Sequence, residues 1–88
     1  MPTIVARHQV LDINAWLHGH QERVDLFAPA GTSFTSFQDA SNPNSVLLVI
    51  ETNDVEWLGR IINDPKNDAI KEKHTVLEPI IISMPLSL

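Results

Sequence analysis

Val46-Leu47-Leu48-Val49-Ile50 is apolar at every position, and Ile80-Ile81-Ile82 repeats the pattern on a smaller scale. Alternate side chains of a strand point to opposite faces, so a strand built on such a run is apolar on both. It has to be covered twice. In a chain of 88 residues that demand is severe, because one layer of helices uses up what the strands leave. A chain this short buries only about two-thirds of its unfolded surface, so it cannot leave such a face in water cheaply.

The remaining segments supply the other strands and the helices. Residues Thr3 to Val10 are rich in β-branched residues and predict a first strand, with Ile4, Ala6, His8 and Val10 on the more apolar face. Asp12 is a good N-cap for a helix running to about Phe27, with an apolar stripe of Ile13, Trp16, Leu17, His20, Val24 and Phe27. His18, Glu22 and Asp25 fall on its wet side. Pro29 and Gly31 end it. Thr32 to Asp39 predicts a second strand, Ser41-Asn42-Pro43-Asn44 a turn, and Ser45 to Glu51 a third strand. Asn53 with Glu56 is a capping-box-like start for a second helix that buries Trp57, Leu58, Ile61 and Ile62. Asp64-Pro65 interrupts that helix and restarts it, burying Ala69, Ile70 and Leu77. Pro79 closes it, and Ile80 to Met84 forms a fourth strand.

The order βαββαβ predicts an α+β, ferredoxin-like fold, residues 1–88 as a single domain, with two helices on one face of a four-stranded antiparallel sheet. The helices cover one face. The other, with Leu47, Val49 and Ile81, is expected to meet a second copy of itself in a two-fold interface. Each such side chain is worth roughly 1.5–3 kcal/mol when fully buried. Arg7, on the strand face opposite His8, belongs to the same interface, where it can pair with an acidic residue across the dimer.

Six Lys+Arg stand against eleven Asp+Glu, a net charge of −5. That sign repels a phosphate backbone, so nucleic acid and anionic membrane are not expected partners. The longest apolar runs fall far short of the ~20 residues that cross a bilayer. The start of the chain lacks a basic, apolar leader pattern. A soluble cytoplasmic protein is expected. There is no cysteine, hence neither disulfide nor thiolate metal site.

Taken in order, Arg7-His8-x-Val10-x-Asp12-x-x-x-Trp16, Gly31, Asn42-Pro43-Asn44, Glu51 with Asp54, and Asp64-Pro65 resemble the dimeric α/β-barrel superfamily, which includes the antibiotic-biosynthesis-monooxygenase-like domains. The resemblance spans essentially the whole chain. It implies a homodimer whose sheets face each other and a ligand cavity between sheet and helices in each subunit. The superfamily includes cofactor-free monooxygenases, haem-degrading enzymes and isomerases, so no single activity follows.

Six residues are candidates for lining that cavity: His8, Trp16, His20, Phe34, Trp57 and His74. His8 can act as a base or ligand-orienting group, or be a core histidine satisfied by a backbone carbonyl. His20 lies one turn beyond Trp16. His18 and His20 are two apart and point to different sides of a helix. His8 with His20 would lack a third metal ligand at any fixed spacing, and no metal is expected. Phe34 or Phe37 fills the cavity side of the second strand; alternation leaves both open. Trp16 and Trp57 can be core or can stack on a flat ligand. In haem-binding branches of the superfamily a histidine in this part of the second helix ligates iron, so the resemblance raises His74 as an axial ligand. The plainer reading is a helix-end residue set against the dipole, and no cofactor is expected. Three scattered glycines make no phosphate loop, there is no nucleophile elbow, and no catalytic residue is assigned.

Two functions fit. One is a small homodimeric domain that binds a small apolar or aromatic molecule. The alternative is a cofactor-independent, monooxygenase-like enzyme acting on an aromatic or polyketide-like compound, which asks for a pocket of a few hundred cubic ångströms.

Overall fold

The structure, a computed structural model, describes residues 2–31 and 33–86. Four strands, β1 (Thr3–Val10), β2 (Ser33–Asp39), β3 (Asn42–Glu51) and β4 (Val76–Ser83), form one antiparallel sheet of order β2-β3-β1-β4. Its register sets Ile4 opposite Ile50, Ala6 opposite Leu48 and His8 opposite Val46. All six are buried, because α1 (Ile13–His18), α2 (His20–Phe27), α3 (Val55–Asn63) and α4 (Asp68–Lys73) lie across that face. Trp16, Phe27 and Leu58 complete the core from the helix side. The α+β ferredoxin-like arrangement expected from the element order is the one observed.

The open face of the sheet is the second prediction of the apolar runs. A single row crosses it from edge to edge. Phe37 pairs with Leu47, Leu47 with Arg7, and Arg7 with Ile81. Phe37 and Ile81 are each about half exposed, at 51% and 54%. The neighbouring row holds Thr35, Val49, Val5 and Ser83. The described residues contain no further layer over these side chains, and no helix among them is long and apolar enough to cross a membrane.

Several boundaries differ from the sequence expectations, each for a local reason. The first helix is two helices. Asp12 caps the first as expected, its Oδ1 accepting from the N–H groups of Asn14 and Ala15. At Gly19 the backbone N–H bonds to the Trp16 carbonyl instead of a full turn back. The buried positions Trp16, Gly19, Arg23 and Phe27 keep steps of three and four, so the buried stripe runs along the Trp16 edge of the expected one and leaves Leu17 and His20 outside it. The second helix is capped by Asp54, whose Oδ1 accepts from Trp57 N–H at 3.0 Å, while the Asn53 N–H is spent on the Ala30 carbonyl. Leu58, Ile61 and Ile62 face the core, and Trp57 sits at the margin of that stripe, 42% exposed.

The break at Asp64-Pro65 is present, with a 3-10 turn over Pro65–Asn67 and Asp64 Oδ1 accepting from Lys66 N–H. Beyond it Ala69 is exposed and Ile70 half-buried. Leu77 belongs to β4, which begins at Val76 and not at Ile80. Pro79 therefore lies inside a strand. It is tolerated because β4 is an edge, and the register with β1 shifts between Arg7 and Gln9. The hairpin turn is Ala40-Ser41, tightened by Asp39 Oδ1, which accepts from both the backbone N–H and the hydroxyl of Ser41. Asn42-Pro43-Asn44 is consequently part of β3. Gly31 takes φ +68° before β2, the left-handed region that suits glycine. Thr32, expected to open that strand, lies outside the described residues.

Candidate functional site

Between the sheet and the helices lies a cavity of about 70 Å³. Its walls are apolar: Leu48 and Ile50 from β3, Phe27 from α2, Ile61 and Ile62 from α3, and Ile70 from α4. Five polar side chains line it: His8 from β1, Arg23 from α2, His74 from the end of α4, and the half-buried Asn67 and Lys71. The first three are buried, with exposures of 6%, 6% and 2%. Buried groups of this kind need partners, and the partners here form a chain.

His74 bridges two side chains. Its Nε2 lies 2.7 Å from Glu22 Oε1, and its Nδ1 lies 3.3 Å from Arg23 Nη1. A carboxylate only accepts and a guanidinium only donates. The tautomer that serves both carries its proton on Nε2 and keeps the Nδ1 lone pair for Arg23. Two backbone features hold the ring there. Gly19 leaves a space that a Cβ would fill, since a side chain at that position would run into the His74 ring. Thr75 takes φ +59°, unusual for a β-branched residue, and is held by its hydroxyl, which accepts from Asp12 N–H and donates to the Asp12 carbonyl at 3.1 Å each. The bond to His74 holds the Glu22 carboxyl below the usual carboxylate range.

Arg23 is the most demanding residue in the molecule. Its Cζ sits 4.1 Å from the centre of the Trp16 ring, a cation–π contact. Its Nη1 is engaged with His74, but Nε and Nη2 are buried without an acceptor, and so is the indole Nε1 of Trp16. Leaving a buried donor unsatisfied costs about 1–3 kcal/mol. Burial pushes the Arg23 pKa down to about 10, which still leaves a full positive charge at neutral pH. His8 is shifted in the same direction. Burial lowers its pKa and the nearby Arg23 charge lowers it further, against the raising effect of the bond to the Gln9 carbonyl. Its Nδ1 donates to that carbonyl at 3.0 Å, and its ring meets Trp16 edge-on at 6.0 Å.

The six candidate residues are not brought together. His8 and His74 line the cavity. Trp16 lies behind it, supporting both His8 and Arg23. Phe34 pairs with Ile50 on the helix-covered face and packs on Phe27 at 5.4 Å, outside the cavity wall. His20 is exposed, and Trp57 does not reach the cavity. Arg23 was not among the candidates. It lies seven residues after Trp16 on the same helical face, and its charge sets it apart from the apolar stripe. Its spacing of four from Phe27 was the available signal. Haem does not fit this site: both ring nitrogens of His74 are engaged, and the cavity is far smaller than a porphyrin needs. Among the described residues no group of three or more His, Asp or Glu side chains could hold a metal ion.

This is a buried polar relay at one end of an apolar cavity, carried by a ferredoxin-like sheet with its helices on one side. The same fold is found in solved structures that match nearly all of the chain. A Bordetella bronchiseptica protein named for antibiotic biosynthesis monooxygenases superimposes with a TM-score of 0.75 at 14% identity, over 99% of this chain and 96% of that one. SnoaB, a cofactor-independent oxygenase from Streptomyces nogalater, gives 0.68 at 15% identity, covering 99% and 94%. An uncharacterised NIPSNAP domain protein from Burkholderia xenovorans gives 0.68 at 14%, covering 100% and 94%. No protein-family model matches the chain, and no curated protein matches it. The chain thus shares the fold of the antibiotic-biosynthesis-monooxygenase-like domains; its activity is unassigned.

Proposed function

We propose that this chain is a cytoplasmic homodimer that binds a small, largely apolar molecule between its sheet and its helices. The observation that carries the reading is the apolar cavity lined by the buried His8, Arg23 and His74. Apolar walls with a few placed polar groups are the usual make-up of a small-molecule site. At about 70 Å³ the space suits a compact occupant, well under the several hundred cubic ångströms of drug-sized sites. The dimer is supported by the row Phe37, Leu47, Arg7 and Ile81 across the open face. A self-complementary two-fold contact would bury it. The alternative, cofactor-independent oxygenation of an aromatic or polyketide-like compound, draws on the likeness of fold to SnoaB and asks for a wider pocket than this one.

Native mass spectrometry of protein purified without refolding tests both halves. The expected species is a dimer with added small-molecule mass. Ile70→Trp, which fills the cavity from its α4 wall, is expected to give a dimer without it. A monomer would remove the two-sheet interface, and added mass that survives Ile70→Trp would place the molecule elsewhere.

A further inference from the structure

We propose that Arg23 is an anion anchor and that the occupant of the cavity is a small carboxylate with an apolar body. The proposal rests on the cavity being a binding site and specifies what it selects. Arg23 lines the cavity at 6% exposure, with Nε and Nη2 lacking any acceptor. A guanidinium presents its donors as a planar fork that matches a carboxylate, and here part of that fork is unspent. Glu22 attracts the Arg23 charge at a distance, but its hydrogen bond goes to His74 and it occupies none of the guanidinium donors. Lys71, the other cation at the cavity, pairs outward with Glu78 at 3.4 Å. His8, with its proton on the Gln9 carbonyl and its pKa lowered, adds no competing charge. Leu48, Ile50, Ile61 and Ile70 offer hydrocarbon to the body of the ligand, and Asn67, also on the wall, donates its Nδ2 to the Ile61 carbonyl.

A purely structural Arg23, kept for its stacking on Trp16, makes the opposite forecast for ligand choice. Isovalerate and its neutral isostere isovaleramide separate the two, since they share one apolar body and differ in the group offered to the guanidinium. Binding is followed by calorimetry and by the NMR signal of the Trp16 indole N–H. Isovalerate is expected to bind at least about tenfold more tightly than isovaleramide, as a charge-assisted hydrogen bond allows. Arg23→Gln is expected to reduce that preference to parity while leaving isovaleramide binding in place. Should Arg23→Gln not fold, Arg23→Lys keeps the charge without the fork and is expected to lose most of the preference. Equal binding of the two ligands to the natural protein would overturn the anchor and leave the cavity reading standing. Binding of neither would overturn both, and a preference that persists in Arg23→Gln and Arg23→Lys would assign the selection to another group.

Discussion

At the scale of single residues, the site is governed by how buried polar groups find partners. His8 does so by giving its Nδ1 proton to the Gln9 carbonyl, the plain core-histidine arrangement, yet the same ring forms part of the cavity wall. Its pH response follows from burial. The folded pKa lies below the ordinary 6.5, so below pH 6.5 the unfolded chain binds a proton that the folded chain refuses. Stability therefore falls as pH drops from 6.5 toward the folded value and levels off beneath it. The loss is about 1.4 kcal/mol for each pH unit that separates the two values. Urea unfolding at pH 7.5 and pH 5.5 is expected to show a larger loss for the natural protein than for His8→Gln. Equal losses would mean that His8 is not the group that titrates. Asp39 and Glu22, both held below the usual carboxylate range, add a separate loss of the same sign at more acid pH.

The elements show how a single small residue makes room for a distant side chain. The stripe Ile13, Trp16, Leu17, His20, Val24 and Phe27 describes one continuous helix, and none of its members signals a break. Gly19 provides it, and the reason lies 55 positions away in the chain, where the ring of His74 occupies the space beside it. That close approach sets the His74 ring against Glu22 and Arg23, the two side chains it bridges. On helix propensity alone, Gly19→Ala would stabilise the protein by up to about 1 kcal/mol. Displacing the His74 ring is expected to outweigh that gain, costing about 1–3 kcal/mol as overpacking does. Thermal denaturation should show a lower midpoint for Gly19→Ala; a raised midpoint would mean that the ring is not packed there. β4 shows the converse. Pro79 reads as a stop in the sequence, but an edge strand accepts it because its N–H side needs no partner.

For the whole molecule, the decisive feature is a sheet with two apolar faces and one layer of helices. Leu47→Asp puts a charge in the middle of the row from Phe37 to Ile81. Light scattering after size exclusion is expected to report a monomer. The midpoint of unfolding should fall with it, because a buried leucine contributes about 1.5–3 kcal/mol. A Leu47→Asp protein that remained a stable dimer would show that the subunits meet elsewhere.

The sequence alone carried the element order, the inward face of β1, the cap at Asp12 and the break at Asp64-Pro65. It also marked the need for a second cover over Leu47, Val49 and Ile81. These are short-range properties: a period of two, a side chain capping the next turn, a proline that cannot continue a helix. The candidate site was legible only in part. His8 and His74 were marked and Phe34 faces the helices, while His20 and Trp57 lie away from the cavity and Arg23 was missed. Long-range contact settled the relay, because the His74 ring meets Gly19, Glu22 and Arg23 only when the chain has folded. The choice between Phe34 and Phe37 likewise waited on register: Phe34 pairs with buried Ile50 and Phe37 with Leu47 on the open face. A one-residue slip would exchange them, and only pairing with the neighbouring strand prevents it.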